Sequence, residues 1–217
     1  YPATGEVIAA NTDSGNADAE SIRKVRSGTG NDITRFNYNT LSSGTLVDVE
    51  GLSFANGVVN SSTTPPSPYF AINRTNSIYR VDPVGGVVTT LTSSAPFTLD
   101  AVAYDVTGGV IYYVQNSNTT IQLGRYTIAS GTHTVLGDLK TTGTYRPATH
   151  PQHLIYYQGE LFYISGNGVS QSFLVRVRVS PTAILAQESL ARLSASSSWT
   201  VTAAALDDTG KLYFREG

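Results

Sequence analysis

The fold is decided by residues 99–139, which read LDAVAYDVTGGVIYYVQNSNTTIQLGRYTIASGTHTVLGDL. This stretch contains four short segments of β-branched, aromatic and aliphatic residues, separated by turn residues such as Thr107-Gly108-Gly109 and Ser130-Gly131. Short apolar segments between such turns are typical of antiparallel strands with tight connections. We therefore predict four consecutive strands, named A to D in chain order: Asp100–Asp105, Val110–Gln115, Ile121–Ile128 and His133–Leu139.

The same order of four strands recurs on both sides of this unit. The upstream strands are predicted at Val49–Phe54, Tyr69–Asn73, Ser77–Asp82 and Val87–Thr92, with a Pro-containing insertion at residues 60–68. The downstream strands are predicted at His153–Tyr157, Glu160–Ser165, Phe173–Val179 and Ala183–Leu190. Each C strand carries a basic residue in an apolar frame, at Arg80, Arg125 and Arg176. Repetition of one four-stranded unit predicts an all-β repeat fold.

The two ends of the chain supply partial units. The C-terminal end provides an A strand at Val201–Leu206 and a B strand at Lys211–Phe214. The N-terminal end provides strands of B, C and D type at Glu6–Asn11, Ser21–Arg26 and Asp32–Asn37. We therefore predict one β-propeller domain over residues 1–217, with four blades or possibly five, closed by pairing of the terminal strands. The surplus B strand leaves a second interpretation open, in which the chain is part of a longer propeller.

Composition limits the classes of function. Of the 217 residues, 14% are charged, the formal net charge is −2 and there is no cysteine. This balance argues against a nucleic-acid partner, and no apolar run is long enough for membrane insertion. Without cysteine there is neither a disulfide framework nor a thiolate nucleophile. The sequence also lacks a Gly-x-Ser-x-Gly elbow, a Walker A loop and a dinucleotide-binding fingerprint, so we expect a protein that is not an enzyme.

The segment AVAYDVTGGVIYYVQNSNTTIQLGRYTIASGTHTVL, residues 101–136, resembles a blade of the YWTD and NHL-type extracellular β-propellers. Blades of those families run from an apolar-Asp pair through Gly, an aromatic pair and Ile to a Gly before a final Val-Leu. Tyr112-Tyr113-Val114 stands here where the Trp-Thr-Asp of the first family would be. The resemblance implies a propeller fold and a binding or adhesion module without enzymatic activity.

Aromatic and basic residues in the predicted D–A connections suggest a ligand-binding surface. These connections lie on one face of a propeller, and here they carry Phe97, Tyr145, Arg146, His150 and Trp199. Such residues can stack on a sugar or hold a peptide. Alternatively, Tyr145 and Trp199 pack between blades.

Carboxylates in the predicted A strands suggest a second kind of site, near the central channel. Alignment of these strands brings Glu50 and Asp100 to one position. Two carboxylates there could bind Ca²⁺, serve as an acid/base pair, or only form hydrogen bonds with water and backbone amides. We predict no required cofactor, with Ca²⁺ as the one candidate.

Three Asn-x-Ser/Thr motifs, at Asn60, Asn73 and Asn118, fall in polar stretches where a glycan could attach. Chance alone could also produce such motifs in a chain this rich in Asn, Ser and Thr. Together with the scarcity of lysine, they favour a secreted, extracellular glycoprotein. We expect it to act in structural assembly, adhesion or protein binding, with another protein, a glycan or copies of itself as partner. The alternatives are a lectin-like carbohydrate-binding module and, third, a hydrolase that uses the channel carboxylates.

Overall fold

The computed structural model contains 17 β-strands and no helix in the part of the chain that it describes. Among those residues, therefore, nothing has the form of an apolar helix that could cross a membrane. The described residues are 6–11, 21–26, 33–37, 49–53, 69–73, 77–81, 88–92, 98–105, 107–116, 121–139, 153–166, 172–193, 201–206 and 210–216.

The strands form five antiparallel sheets, numbered here in chain order. The first sheet contains β1 (Glu6–Asn11), β2 (Ser21–Arg26) and β3 (Ile33–Asn37). The second contains β4 (Val49–Ser53), β5 (Tyr69–Asn73), β6 (Ile78–Val81) and β7 (Val88–Thr92). The third contains β8 (Thr98–Asp105), β9 (Val110–Asn116), β10 (Ile121–Thr127) and β11 (Thr132–Asp138). The fourth contains β12 (Leu154–Tyr157), β13 (Glu160–Gly166), β14 (Ser172–Val179) and β15 (Ile184–Arg192), and the fifth contains β16 (Val201–Leu206) and β17 (Leu212–Glu216).

The predicted all-β fold with sheets of four antiparallel strands is confirmed. In every sheet the hydrogen-bonded neighbours follow the chain order. The strands of the two terminal units lie in two separate sheets, β1-β2-β3 and β16-β17. The number of blades and the closure of a ring by terminal strands therefore stay predictions.

The third sheet is buried on both of its faces. All five side chains from Val110 to Val114 in β9 are buried, although side chains alternate between the two faces of a strand. Ile111 and Tyr113 pack in a cluster with Ile78 of the second sheet. Val110, Tyr112 and Val114 pack in a larger cluster with Leu161, Phe173 and Val177 of the fourth sheet. A sheet with this composition needs a neighbouring sheet on each side.

The sheets contact one another in chain order through their first strands. Strand β8 contacts β4 and β5 on one side and β12 on the other, and β1 contacts β4. At the outer ends of the third and fourth sheets, β11 contacts β15. We call the side of a sheet that faces the next sheet along the chain its forward face.

A basic residue occupies the same register position in four of the sheets. In each case its neighbour across the preceding strand of the sheet is aliphatic or aromatic: Lys24 pairs with Ile8, Arg80 with Phe70, Arg125 with Tyr112 and Arg176 with Phe162. On the other side the same residues pair with Thr34, Thr89, Thr134 and Glu188. This shared register agrees with the repeats predicted from the sequence, and the assignment of β1, β2 and β3 to types B, C and D stays a prediction.

Gly124 makes room for the largest buried side chain of the third sheet. A Cβ atom at this position would lie 2.3 Å from Cε2 and 2.8 Å from the hydroxyl of Tyr113. Tyr113 is paired with Gly124 across β9 and β10, and its ring has no exposed surface. Any larger residue at 124 would displace that ring, so glycine is required here by close packing.

Tyr113, His133 and Tyr126 form a cluster that links the third sheet to the second. The Tyr113 hydroxyl lies 2.9 Å from Nδ1 of His133, and the rings of His133 and Tyr126 have centroids 4.8 Å apart. Tyr126 donates a hydrogen bond of 3.3 Å to the backbone carbonyl of Leu91 in β7. Burial raises the pKa of Tyr113 above its usual value of 10 and lowers the pKa of His133 below 6.5. A neutral imidazole can accept a hydrogen bond from the Tyr113 hydroxyl at Nδ1, and both side chains then stay uncharged.

We predict that acidification destabilises the fold through this histidine. Because the folded-state pKa of His133 is lowered, the unfolded chain binds more protons below about pH 6.5, and folding stability falls as the pH falls. His153, whose pKa is also lowered by burial although a backbone hydrogen bond at Val201 partly opposes this, adds to the effect. The loss is at most about 1.4 kcal/mol per pH unit for each histidine. It is measured by urea unfolding between about pH 7.5 and 5.5, above the titration of ordinary carboxylates.

His133→Gln is the control, because its side-chain oxygen can still accept from Tyr113 but does not titrate. The variant is expected to lose part of the pH dependence. An identical pH dependence in the variant and the parent chain would contradict the assignment.

Candidate interaction surface

The predicted ligand-binding residues Phe97, Tyr145, Arg146, His150 and Trp199 lie outside the described residues, as do Asn60 and Asn118. Asn73 is the last residue of β5 and is paired with Val49. These assignments stay predictions.

Glu50 and Asp100 occupy equivalent backbone positions, as the alignment of A strands predicts. The register of β4 with β5 shifts between Val49 and Gly51, so Glu50 is the extra residue of a bulge. The same shift occurs around Asp100 in β8 and around Thr202 in β16. Bulges re-aim the side chain of the extra residue and recur at functional positions. In the described part of the chain, no group of three or more His, Asp or Glu side chains could hold a metal ion, and Ca²⁺ binding at this position stays a prediction.

Side-chain hydrogen bonds join the forward face of the third sheet to the fourth. Arg125 donates from Nη1 to the backbone carbonyl of Pro181 at 3.1 Å, and Gln187 donates from Nε2 to the carbonyl of Asp138 at 3.1 Å. The basic residue of the C strand was visible in the sequence, but its partner, a turn carbonyl 56 residues away, was not.

Tyr156 and Asp105 form a second connection between these sheets. The Tyr156 ring stacks on Tyr112 with centroids 5.8 Å apart, and its hydroxyl is hydrogen-bonded to Asp105. Burial, followed by the Asp105 carboxylate, raises the pKa of Tyr156. Asp105 also accepts from the backbone amides of Thr107 and Gly108 at 3.1 and 3.0 Å, which fixes the turn after β8. Asp105 therefore forms hydrogen bonds both with Tyr156 of the fourth sheet and with the turn of its own sheet.

On the forward face of the fourth sheet, burial among the described residues is greatest near the inner strands β12 and β13. Ile155 and Ile164 are buried there. The fifth sheet lies beside β12, because a Cβ atom at Gly210 would be 2.8 Å from the Tyr157 hydroxyl and His153 is hydrogen-bonded to the backbone of Val201. On the outer strands β14 and β15, the side chains of this face are at least partly exposed to solvent.

Comparison with the third sheet shows how much of the outer face is uncovered. Leu136 is the bulge residue of β11 and is 5% exposed, within the cluster that includes the fourth sheet. Leu190 is the bulge residue at the equivalent position of β15 and is 44% exposed. Leu174, the equivalent of the fully buried Leu123, is partly exposed. We call the surface formed by Phe162, Leu174, Arg176, Glu188 and Leu190 the open face.

The charges of the open face are satisfied within its own sheet. Nη2 of Arg176 lies 2.5 Å from Oε2 of Glu188, and Nη1 lies 3.6 Å from Oε2 of Glu160. The hydrogen bond from Arg176, together with its charge, lowers the pKa of Glu188. In the second and third sheets the position of Glu188 is held by Thr89 and Thr134. Arg125 thus reaches the next sheet, whereas its equivalent Arg176 is held by carboxylates of its own sheet.

No family model and no curated protein matches the chain. Solved structures do match it in fold. A chain of a nidogen/laminin complex has a TM-score of 0.61 and 15% identity, covering 94% of this chain and 66% of that one. TolB from Acinetobacter baumannii has a TM-score of 0.62 and 12% identity, covering 96% and 46%. A chain of a mitotic checkpoint complex has a TM-score of 0.52 and 13% identity, covering 90% and 52%.

The fold resembles that of a β-propeller. At these identities the likeness extends to the fold alone, and this confirms the propeller-like architecture that the repeats predict. The chain spans between 46% and 66% of the length of the three structures compared.

The two equivalent arginines are expected to differ in their contribution to stability. Arg125→Met removes the hydrogen bond to Pro181 while keeping an apolar stem, and it should lower the free energy of unfolding by about 1 kcal/mol. Arg176→Met is the matched variant, and its loss should be smaller because its ion pairs lie within one sheet and surface ion pairs contribute little. Urea unfolding of both variants measures this difference. An equal or larger loss for Arg176→Met would contradict the proposed role of Arg125 as a link between sheets.

Proposed function

We propose that this chain is an extracellular, non-catalytic propeller module that acts by binding another protein through the open face. The main observation behind this proposal is that Leu190 is exposed, whereas its equivalent in the preceding sheet, Leu136, is buried. The fourth sheet presents Leu174 and Leu190 at the positions where Leu123 and Leu136 of the third sheet are buried. Apolar side chains on its outer strands are therefore exposed.

The composition of the open face supports a protein partner. Its centre is apolar, with Leu174, Leu190 and the Phe162 ring, and its polar part is the ion pair of Arg176 and Glu188. An apolar centre beside a polar rim is the usual anatomy of a protein–protein interface. Two of the propeller-like structures that resemble the chain belong to protein complexes, the nidogen/laminin complex and the mitotic checkpoint complex.

The roles of the described titratable side chains support a function without catalysis. Asp105 and Tyr156 bond to each other, His133 bonds to Tyr113, and His153 bonds to the backbone of Val201. Each of these contacts holds a turn or joins two strands or sheets. A structural role of this kind accounts for the shifted pKa values of Tyr156, Tyr113, His133 and His153 without a substrate.

The extracellular assignment rests on composition and on the three sequons, and it predicts N-linked glycans. Full-length chain secreted from eukaryotic cells should lose mass on treatment with an N-glycosidase, as measured by intact mass spectrometry. Asn60→Gln, Asn73→Gln and Asn118→Gln each remove one candidate site, and Thr75→Ala removes the Asn73 sequon while leaving Asn73 in place. A secreted chain whose mass does not change would contradict the glycoprotein assignment.

Protein binding through the open face is tested with a charge placed at its centre. The full-length chain is screened against arrays of purified extracellular proteins and of glycans, and bound proteins are measured with Leu190→Glu and Val135→Glu. We expect Leu190→Glu to weaken protein binding at least about tenfold, because it buries a carboxylate in the interface. Val135→Glu is the matched control, since Val135 is 42% exposed on the outer strand of the third sheet. Binding confined to glycans, or equal binding by both variants, would contradict the proposal.

A further inference from the structure

We infer that the junction between the fourth and fifth sheets is a pH-sensitive contact, which loosens in acid when His153 becomes protonated. His153 precedes β12, and its hydrogen-bond partner Val201 is the first residue of β16. Three observations support this: the direction of that hydrogen bond, the burial of the second ring nitrogen, and the few contacts that hold the fifth sheet. The contact lies within one chain, so its pH response does not depend on the proposed function.

The hydrogen bond with Val201 determines which nitrogen of His153 carries the proton at neutral pH. This bond raises the pKa of the imidazole, so the ring donates it and the backbone carbonyl of Val201 accepts it. In the described part of the chain, Nε2 has no hydrogen-bond partner, so the donor is Nδ1. The neutral ring therefore keeps its proton on Nδ1 and its lone pair on Nε2.

The burial of Nε2 makes protonation costly while the bond to Val201 is formed. A neutral Nε2 presents only a lone pair, whereas a protonated Nε2 presents a charged N–H group that needs an acceptor. The structure describes no acceptor for this buried nitrogen, so protonation there costs the desolvation of a charge. Burial has the larger effect on the pKa of His153 and lowers it, although the bond to Val201 opposes this. His153 therefore binds a proton more readily when the junction is open.

The neighbours of His153 on the fourth sheet are apolar. The Ile164 amide donates a hydrogen bond of 3.4 Å to the His153 carbonyl and so continues the pairing of β12 with β13. Because side chains alternate along a strand, His153 shares the forward face with Ile155. Ile155 and Ile164 are both buried. The charged side chains in the described part of this face lie farther along the strands and interact with one another: Glu160, Arg176, Arg178 and Glu188.

On the fifth sheet, the charged residue nearest to Val201 in the register is Glu216, its partner in β17. Arg215 follows in the same strand and is paired with Ala203. The other charged residues of this hairpin, Asp207, Asp208 and Lys211, belong to its opposite end, between β16 and β17. Glu216 is therefore the group that an experiment must separate from His153 as the source of a pH response.

The fifth sheet is held to the rest of the described chain by few contacts. Among the described strands, β16 and β17 make extensive contacts only with each other, whereas β8 packs against strands on both sides. At the far end of the hairpin, the Tyr157 hydroxyl lies close to Gly210. Elements with few packing contacts open locally more easily than a packed core does. Loss of the contact at His153 should therefore open the fifth sheet before it affects the third.

Opening of the junction is measured by hydrogen exchange with mass spectrometry on the full-length chain at about pH 7.5 and about pH 5.5, corrected for the intrinsic exchange rate at each pH. An exposed histidine titrates near pH 6.5, and each pH unit below that value favours its protonation tenfold. We therefore expect the opening of β16 and β17 to increase by up to about tenfold at the lower pH. Peptides from β9 and β10 of the third sheet should change less.

His153→Asn separates titration from hydrogen bonding, because its side-chain amide can donate to the Val201 carbonyl in place of Nδ1 but does not titrate. This variant should lose the additional opening of β16 and β17 in acid. His133→Gln, which changes the histidine of the third sheet, is the matched control and should keep it. Glu216→Gln should keep it as well. Circular dichroism and thermal unfolding establish that each variant is folded.

Equal exchange of β16 and β17 at the two pH values in the parent chain would overturn the inference. So would an acid response that is unchanged in folded His153→Asn, or one that disappears in Glu216→Gln. A second measurement needs no variant at position 153. The chain has three histidines, and NMR titration of their ring protons, assigned with His133→Gln and His150→Gln, gives the pKa of His153 directly. We expect it to lie below 6.5, and a value at or above 6.5 would overturn the inference.

Discussion

The described core depends on one constraint, which is that an antiparallel sheet with apolar side chains on both faces must be covered on both. In β9 the run Val110 to Val114 has no charged residue, and its side chains enter two different hydrophobic clusters. The second sheet covers one side and the fourth covers the other. Each of these sheets then presents a face that needs cover in turn, and stacking of sheets in chain order meets that need.

Apolar packing sets the distance between neighbouring sheets, whereas polar contacts set how far one sheet is displaced along the other. The bonds of Tyr126 to Leu91, Arg125 to Pro181 and Gln187 to Asp138 each join a side chain of one sheet to a backbone carbonyl of another. A backbone carbonyl has a fixed place in its strand or turn, so these bonds allow little sliding between sheets. The glycine at 124 serves the same end, because it lets the Tyr113 ring approach the backbone and reach His133.

The fourth sheet shows how a repeat changes where its cover is incomplete. Arg176 occupies the position from which Arg125 reaches the next sheet, yet it is held by Glu188 and Glu160 of its own sheet. The apolar positions are the same in the two sheets, because Leu174 and Leu190 of the fourth correspond to Leu123 and Leu136 of the third. The outer half of this sheet therefore combines an exposed apolar centre with charges that are paired within the sheet.

The sequence by itself determined the strands, their order and their grouping, because turn residues and apolar segments are local signals. It also placed Glu50 and Asp100 at one repeat position, which the bulges of β4 and β8 bear out in the backbone. The D strand predicted at Ala183–Leu190 is confirmed as Ile184–Arg192, paired with β14, although apolar residues of this segment also recur at helical spacing. Only the tertiary structure decided that Leu136 is covered and Leu190 is exposed, and that Arg125 binds Pro181. Two equivalent residues in equivalent strands have the same local sequence signals, and burial depends on whether another sheet lies against them.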